Sequence, residues 1–303
     1  MATLVECVPN ISEGRRAEVV EQVVSAIEKV PGIQMLDSEM DANHNRTVLT
    51  FCGEAEPVLE AAFQAVKTAA QLIDLHQHRG QHPRIGAADV VPLVPLSGVT
   101  MEECVSLAHR LGRRIGEELQ IPVYLYGEAA TRPERRNLAD IRRGEFEALE
   151  AEIASNPERW PDFGPARVTG AGATAVGVRR LLIAFNVYLA TDDVSVARSI
   201  ARAVRESSGG LPCVQAIGLP IADRGFVQVS MNITDYRVTP LFRAYEAVKA
   251  AAAERGVAVL ESEIVGLVPT EALIGAGAHY LQLGRFDAKQ LLENRLRQVL
   301  TNS

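Results

Sequence analysis

The chain has 303 residues, of which 47% are hydrophobic and 23% charged, and its formal net charge is -7. A length of this size favours two globular domains over one. The acidic balance argues against a nucleic-acid partner, which would require a basic face or tail. The sequence does not open with the basic and apolar segments of a secretory signal peptide. No apolar run reaches the ~18 residues that a membrane span needs. We therefore expect a cytoplasmic protein without a membrane partner.

The cysteines are scattered along the chain and form no C-x-x-C pair. This pattern is typical of reduced, mostly buried thiols in a cytosolic protein. The four residues are Cys7, Cys52, Cys104 and Cys213.

Hydrophobic periodicity predicts alternating strands and helices in the first half of the chain. Thr100 and Glu103 match a capping box, which predicts the start of a helix. The predicted elements are a strand at 3–8, a helix at 15–30, strands at 33–37 and 46–52, a helix at 57–73, a strand at 87–96, a helix at 100–119, a strand at 121–126 and a polar helix at 133–155.

Residues 156–177 are rich in proline and glycine, which indicates a domain boundary, and we divide the chain into 1–178 and 179–303. Beyond it, Thr239 and Pro240 are predicted as the N-cap and first residue of a helix. The later elements are predicted as a strand at 179–189, a helix at 192–205, strands at 212–219 and 225–233, a helix to 254, a strand at 258–265, a short helix from 270 and a closing helix at 287–300.

Both halves contain the order β-α-β-β-α-β, which gives an antiparallel sheet with helices on one face. The first half then adds a helix, a strand and a helix. The predicted fold class is therefore α/β (α+β), with two ferredoxin-like βαββαβ subdomains in tandem.

The most chemically distinctive stretch is the histidine loop, which we define as residues 76–86. Loops at the ends of strands commonly carry functional side chains. Pro83 disfavours helix at His82, and Gly80 and Gly86 allow sharp bends on either side. His82 is thus the side chain that its own local sequence presents most firmly.

The histidine loop has two chemical interpretations. His76, His78 and His82 form H-x-H-x₃-H, which could ligate zinc. However, Arg79 and Arg84 would repel a dication, whereas a guanidinium matches a carboxylate. We therefore expect an anionic ligand and no metal.

The stretch GAGATA, residues 170–175, matches the glycine fingerprint of dinucleotide-binding folds. That fingerprint must follow a strand and open a helix, whereas here the glycines precede a predicted strand. A flexible linker and a glycine loop that a flat ligand approaches remain possible, and composition favours the linker.

Several stretches, spread over almost the whole chain, resemble the formiminotransferase family. They are LVECVPNISEG at 4–14, HNRTVLTF at 44–51, the run 79–92 with RGQHPRIG, PVYLYGEAA at 122–130, PDFGP at 161–165, LIAFNV at 182–187 and EIVGLVP at 263–269.

The resemblance implies a ligand tunnel between the two subdomains, a homodimer and a folate-binding role for the glycine segment 164–172. It also implies that His82 is the catalytic acid and base. In this chain the glycine segment is one residue shorter than in animal members and lacks their bulky residues, and Glu39 stands where they carry Asp. The implied folate-binding residues are Gly164, Pro165, Ala166, Arg167, Val168, Thr169, Gly170, Ala171 and Gly172.

The implied reaction transfers a formimidoyl group from N-formimidoyl-L-glutamate to N5 of the co-substrate tetrahydrofolate, in histidine degradation. Arg46 and Arg84 are candidates for the substrate carboxylates, and Asp37 or Asp41 for the cationic amidine, with Asn45 as a further polar candidate. Formyl transfer between glutamate and tetrahydrofolate remains an alternative, as does a non-catalytic folate-binding protein.

Animal members are fused to a cyclodeaminase that acts on the product. Here the sequence ends at Ser303, soon after the predicted closing helix, which leaves no segment for a second enzymatic core. We therefore expect the product to pass to a separate cyclodeaminase, without release of ammonia by this chain.

Overall fold

The computed structural model describes residues 3–221 and 224–301. The chain divides into two compact units, Met1–Leu181 and Leu182–Ser303. Each unit has its own sheet and its own hydrophobic core.

The first unit contains a mixed sheet whose strands run in the order β3-β4-(β1, β2)-β5-β7-β6. β1 and β2 both pair antiparallel with β4 and β5, as one interrupted strand. β7 pairs parallel with both β5 and β6. The strands are β1 Leu4–Cys7, β2 Asn10–Ile11, β3 Gln34–Asp41, β4 Arg46–Gly53, β5 Ala88–Ser97, β6 Val123–Gly127 and β7 Thr174–Val178.

Helices cover both faces of this sheet. Apolar side chains at helical spacing, such as Val20, Val23 and Ile27, pack against Leu49 and Phe51 on one face. The helices are α1 Ala17–Glu28, α2 Ala55–Leu72, α3 Met101–Arg114, α4 Leu138–Ile141 and α5 Glu145–Glu152. α1, α2 and α3 contribute to the larger core, whereas α4 and α5 contribute to a second cluster with alternate residues of β5, β6 and β7.

The second unit contains an antiparallel sheet in the order β11-β8-β10-β9. Its core residues come from alternate strand positions and from α6 and α7. The elements are β8 Ile183–Leu189, α6 Val194–Val204, β9 Val214–Ile221, β10 Phe226–Ile233, α7 Leu241–Ala253, β11 Val259–Val265, α8 Thr270–Tyr280 and α9 Leu292–Thr301. Both units have the strand order of a βαββαβ subdomain, and the predicted pair of ferredoxin-like subdomains is confirmed.

Two strand predictions were incomplete. β7 was not predicted, and it begins at Thr174 in the stretch 156–177 that was taken as a domain boundary. Its small apolar residues are buried on both faces and therefore show no alternation. β3 continues to Asp41, four residues beyond the end of the strand predicted at 33–37.

The polar helix predicted at 133–155 is instead broken into a 3₁₀ turn, α4 and α5. Positive φ occurs at Gly144 (76°), directly before α5, and at Glu145 (59°), its first residue, so a continuous right-handed helix cannot pass through this point. The predicted capping box of Thr100 and Glu103 is confirmed. The predicted cap at Thr239 is wrong, because its hydroxyl donates to Pro212 O (2.6 Å) and α7 begins at Leu241.

The four cysteines are free thiols, and all except Cys213 are buried. Among the helices within 3–221 and 224–301, none combines the length and apolar character needed to cross a membrane.

A buried ion pair stabilises the turn before the glycine segment. Asp162 accepts from Arg135 Nη1 (2.7 Å) and from Leu125 N (2.8 Å), and the two charged side chains are 8% and 5% exposed. Asp162→Ala should lower the free energy of unfolding by about 3–5 kcal/mol, because a buried guanidinium loses its counter-charge.

Urea unfolding of the complete chain measures this loss. Glu128→Ala is the matched control, because the Glu128–Arg136 pair is exposed (52% and 68%) and should contribute less than about 1 kcal/mol. Equal unfolding midpoints for the two variants would contradict a stabilising role for Asp162.

Candidate functional site

His82 lies in the histidine loop between α2 and β5 and is partly exposed. Its Nδ1 atom is 2.6 Å from Nη1 of Arg46 and 2.8 Å from the carbonyl oxygen of Pro83. An arginine can only donate and a carbonyl can only accept, so the two contacts suit two different tautomers of the imidazole. Neither contact uses Nε2, which is therefore the ring atom available for chemistry.

Asn45 connects the start of β4 to the histidine loop. It adopts positive φ (48°), and its side chain accepts from Gly14 N (3.0 Å) and donates to Arg79 O (3.1 Å). His78 Nε2 donates to Asn45 O (2.9 Å). Since Asn45 is buried and its amide is occupied, it acts as a support for Arg46 and His82 in this arrangement.

Beside His82, two arginines share one buried carboxylate. Asp89 is 1% exposed and accepts from Ile85 N (2.8 Å), from Arg46 Nη1 (3.4 Å) and, in a short hydrogen bond, from Arg142 Nη2. Arg46 also donates from Nε to Asn10 Oδ1 (2.8 Å). These contacts bring together β2, β4, α4 and the end of the histidine loop.

The electrostatic surroundings keep His82 neutral. Burial, followed by the charges of Arg46 and Arg142, lowers the pKa of His82 well below its usual value, because each of these effects disfavours the imidazolium. Burial and the nearby Arg142 also lower the pKa of Arg46 to about 9, which still leaves that guanidinium protonated at neutral pH.

A second histidine lies beside the first. The rings of His44 and His82 are 6.0 Å apart between centroids in an edge-to-face arrangement. His44 Nδ1 is 2.5 Å from Oδ2 of Asp41. Burial opposes ionisation of Asp41, but the hydrogen bonds from His44 lower the pKa of that carboxyl overall.

The three histidines of the H-x-H-x₃-H pattern do not converge on one point. His76 lies between Glu150 (2.9 Å) and Asp74 (2.8 Å), which raise its pKa, whereas His78 contacts Asn45 and accepts from Arg84. In the described part of the chain, no three His, Cys, Asp or Glu side chains form a metal-binding group.

Arg84 is occupied by other protein groups. It is buried, and its guanidinium donates to both carboxylate oxygens of Glu147 (2.8 and 2.7 Å) and to Glu145 (2.8 Å). Phe146 N also donates to Arg84 O (3.0 Å). These contacts join the histidine loop to α5 and do not support the prediction that Arg84 binds a substrate carboxylate.

The acidic candidates lie along β3. Asp41 is paired with Arg46 and Asp37 with Thr50 in the antiparallel ladder, and directly paired residues share one face of a sheet. The face of β3 and β4 that carries Arg46 therefore also carries Asp37 and Asp41.

The glycine segment 164–172 is hydrogen-bonded into the first unit. Leu75 N donates to Gly170 O (2.7 Å), and Ala87 N donates to Ala171 O (2.9 Å). Gly172 has φ of 67°, and a Cβ there would lie 2.1 Å from Ile85 O. The interpretation as a flexible linker is therefore wrong, and the last three residues of the segment contact both ends of the histidine loop. It leads into β7 and not into a helix, which also excludes the dinucleotide fingerprint.

Comparison with known proteins identifies the family. The model of the formiminotransferase domain, N-terminal subdomain, matches residues 4–179, and that of the formiminotransferase domain matches residues 184–299. A glutamate formimidoyltransferase of Thermoplasma acidophilum is 50% identical over 98% of this chain and 98% of its own length. The chain belongs to the formiminotransferase family.

Other relatives extend the family comparison. A glutamate formimidoyltransferase of Streptococcus pyogenes serotype M1 is 45% identical over 98% of this chain and 99% of its own length. The formimidoyltransferase-cyclodeaminase of Rattus norvegicus is 46% identical over 99% of this chain, which spans 56% of that longer protein. The resemblance seen in the sequence is confirmed, and this formiminotransferase is a transferase of one-carbon groups.

Three side chains at the site of this formiminotransferase were not among the residues predicted from sequence. Asp89 and Arg142 are separated by 53 residues, and no local pattern indicates that they meet. His44 directly precedes Asn45 and Arg46, which were predicted, and the stretch HNRTVLTF contains it. The position of His44 beside those two predicted residues was therefore the one feature of the sequence that could have indicated it.

The charge distribution predicts the order in which the histidines titrate. As the pH falls from 8, His76 should become protonated before His82, because carboxylates raise the pKa of His76 while burial and arginines lower that of His82. Arg46→Met should raise the pKa of His82 towards the usual ~6.5, because it removes a nearby positive charge. NMR of ring-labelled histidines measures both effects.

The titration of His76 in the same spectra serves as the internal control. Protonation of His82 before His76, or an unchanged His82 titration in Arg46→Met, would contradict this electrostatic description.

Proposed function

We propose that the chain is a glutamate formimidoyltransferase that acts in the cytoplasm, in histidine degradation. It transfers the formimidoyl group from N-formimidoyl-L-glutamate to N5 of tetrahydrofolate and releases glutamate. The observation that carries the proposal is a neutral His82 beside a cationic pair, in a chain similar along nearly its whole length to enzymes of that name.

His82 is suited to move one proton between the two substrates. When Nδ1–H donates to Pro83 O, the lone pair of Nε2 is free to accept the proton of N5 as N5 bonds to the amidine carbon. The imidazolium that results lies near Arg46 and Arg142, which makes it a strong acid. It returns the proton to the glutamate nitrogen as the bond between carbon and that nitrogen breaks.

The remaining groups suit the charges of the donor. Arg46 is a candidate for a substrate carboxylate, and the acidic edge formed by Asp37 and Asp41 suits the cationic amidine. Residues 170–172, at the end of the segment 164–172, contact both ends of the histidine loop, which supports a role of this segment in binding folate. Holding both substrates at one site would make the transfer effectively intramolecular. A homodimer and a separate cyclodeaminase partner complete the proposal.

His82→Ala should lower kcat by about 10²- to 10⁴-fold, because proton transfer loses its general acid and base. Its affinity for tetrahydrofolate should stay near that of the unmodified chain, since a single imidazole contributes little to binding a large flat ligand. His279→Ala is the control, because that imidazole lies in the second unit and stacks on Phe242, with the two ring centroids 3.9 Å apart.

The assay follows folate product from formimidoyl and formyl donors in parallel. A His82→Ala variant with more than half of the original kcat would refute the role of His82. Faster turnover of N-formyl-L-glutamate than of the formimidoyl donor would replace the proposed reaction with formyl transfer.

We expect the reaction to need no metal ion. Dialysis of the purified chain against a strong chelator should leave kcat unchanged, because His76, His78 and His82 each contact different protein groups. The control is the same dialysis without chelator. Loss of activity that added zinc restores would show that the three histidines bind metal after all.

A further inference from the structure

Arg142 has hydrogen-bonding capacity that the protein leaves unused. Its Nη2 donates to Asp89, but its Nε is buried and has no hydrogen-bond partner among the described residues. The side chain as a whole is 12% exposed. Oε1 of Gln81, next to His82 in sequence, is likewise buried without a partner. Buried polar atoms are normally satisfied, so the unpaired Nε of Arg142 indicates a ligand or an ordered water.

The charges around Arg142 do not balance. Arg46 and Arg142 contribute two positive charges, and Asp89 contributes one negative charge. His82 is neutral because its pKa is lowered, and Tyr126 is neutral because burial raises its pKa. Arg179, which also lies near Tyr126, has Glu6 as a neighbouring opposite charge. Among these groups, one positive charge therefore remains without a counter-charge.

A buried, uncompensated guanidinium is costly, and the cost falls when an anion completes the site. A carboxylate fits best, because its two oxygens accept parallel hydrogen bonds from the planar guanidinium fork.

We propose that Arg142, together with Arg46, binds one carboxylate of the acidic substrate beside His82, with Asp89 holding both guanidinium groups in position. The identity of that substrate rests on the proposed function. The group that is transferred then lies within reach of His82, because Arg46 contacts both that imidazole and the shared carboxylate of Asp89.

The fold holds Arg142 in a defined place relative to His82. Arg142 directly follows α4, and a turn at Gly144 leads into α5. Glu145 and Glu147 of α5 form ion pairs with Arg84 in the histidine loop. The neighbouring Arg143 is different: it is 76% exposed and pairs with Asp140 (2.6 Å).

Binding of a carboxylate would also change His82. The added negative charge offsets the field of the two arginines, so the imidazole becomes a stronger base when the substrate is present than when it is absent. Substrate binding and proton acceptance are thereby coupled through Arg46 and Arg142.

The experiment compares Arg142→Gln with the control Arg143→Gln. The donors are N-formimidoyl-L-glutamate and its two monoamides, N-formimidoyl-L-glutamine and N-formimidoyl-L-isoglutamine. Arg142→Gln should raise KM for the diacid by about 10- to 100-fold, the effect of losing a hydrogen bond between charged groups. The Arg142→Gln variant should also no longer prefer the diacid over one of the amides. Arg143→Gln should keep the original KM and the original donor preference.

A binding measurement separates this inference from the proposed function. Glutarate, a dicarboxylate without the reactive group, should bind the unmodified chain and shift the His82 ring resonances, and Arg142→Gln should weaken that binding by a similar factor. If the unmodified chain transfers no group from any donor but still binds glutarate through Arg142, the proposed function fails and the carboxylate site stands.

Unchanged KM, donor preference and glutarate affinity in a folded Arg142→Gln variant would overturn the inference. Arg142→Lys covers the case in which Arg142→Gln does not fold, since it keeps the charge and loses the planar fork. A folded Arg142→Lys variant with weaker glutarate binding supports the site, and one with the original affinity overturns it.

Discussion

The arrangement of the site depends on the buried carboxylate of Asp89. One of its oxygens accepts from Ile85 N, at the end of the histidine loop, and the other accepts from the two arginines that enter from β4 and from the end of α4. Three segments far apart in sequence thus meet at one group. Because a buried charge must be paired, each of these contacts constrains the others, and the position of His82 follows from them.

A positive site has opposite effects on the two forms of a histidine. Burial and the nearby arginines disfavour the imidazolium of His82, so the free base predominates but accepts a proton weakly. The same field makes the conjugate acid ready to give the proton up. A group transfer between two nitrogens requires His82 first to accept a proton and then to donate it. The bound substrates therefore have to adjust the pKa of His82. An anionic donor that neutralises part of this field would make that adjustment at the moment of binding.

The sequence predicted the features that local chemistry determines. The apolar spacing of α1 and α2, the capping box at Thr100 and the presentation of His82 before Pro83 all depend on a few neighbouring residues. β7 was missed because a parallel strand buried on both faces has no alternating pattern. The contact between Arg142 and Asp89 was not predicted, because only the folded chain brings these residues together. The ion pairs of Arg84 with Glu145 and Glu147 on α5 were not predicted for the same reason.

The distribution of charge within the first unit suggests how a donor would lie. Asp41 and Arg46 are directly paired between β3 and β4, so a negative edge and a positive group are neighbours on one face. A donor with a carboxylate at one end and a cationic amidine at the other is complementary to this pair of opposite charges in only one orientation. In the proposed reaction, that direction would place the amidine carbon between the acidic edge and the arginines, near His82, which contacts Arg46 and Pro83. Reversing the donor would bring like charges together at both ends, so the polarity of the site would select the productive orientation before any proton moves.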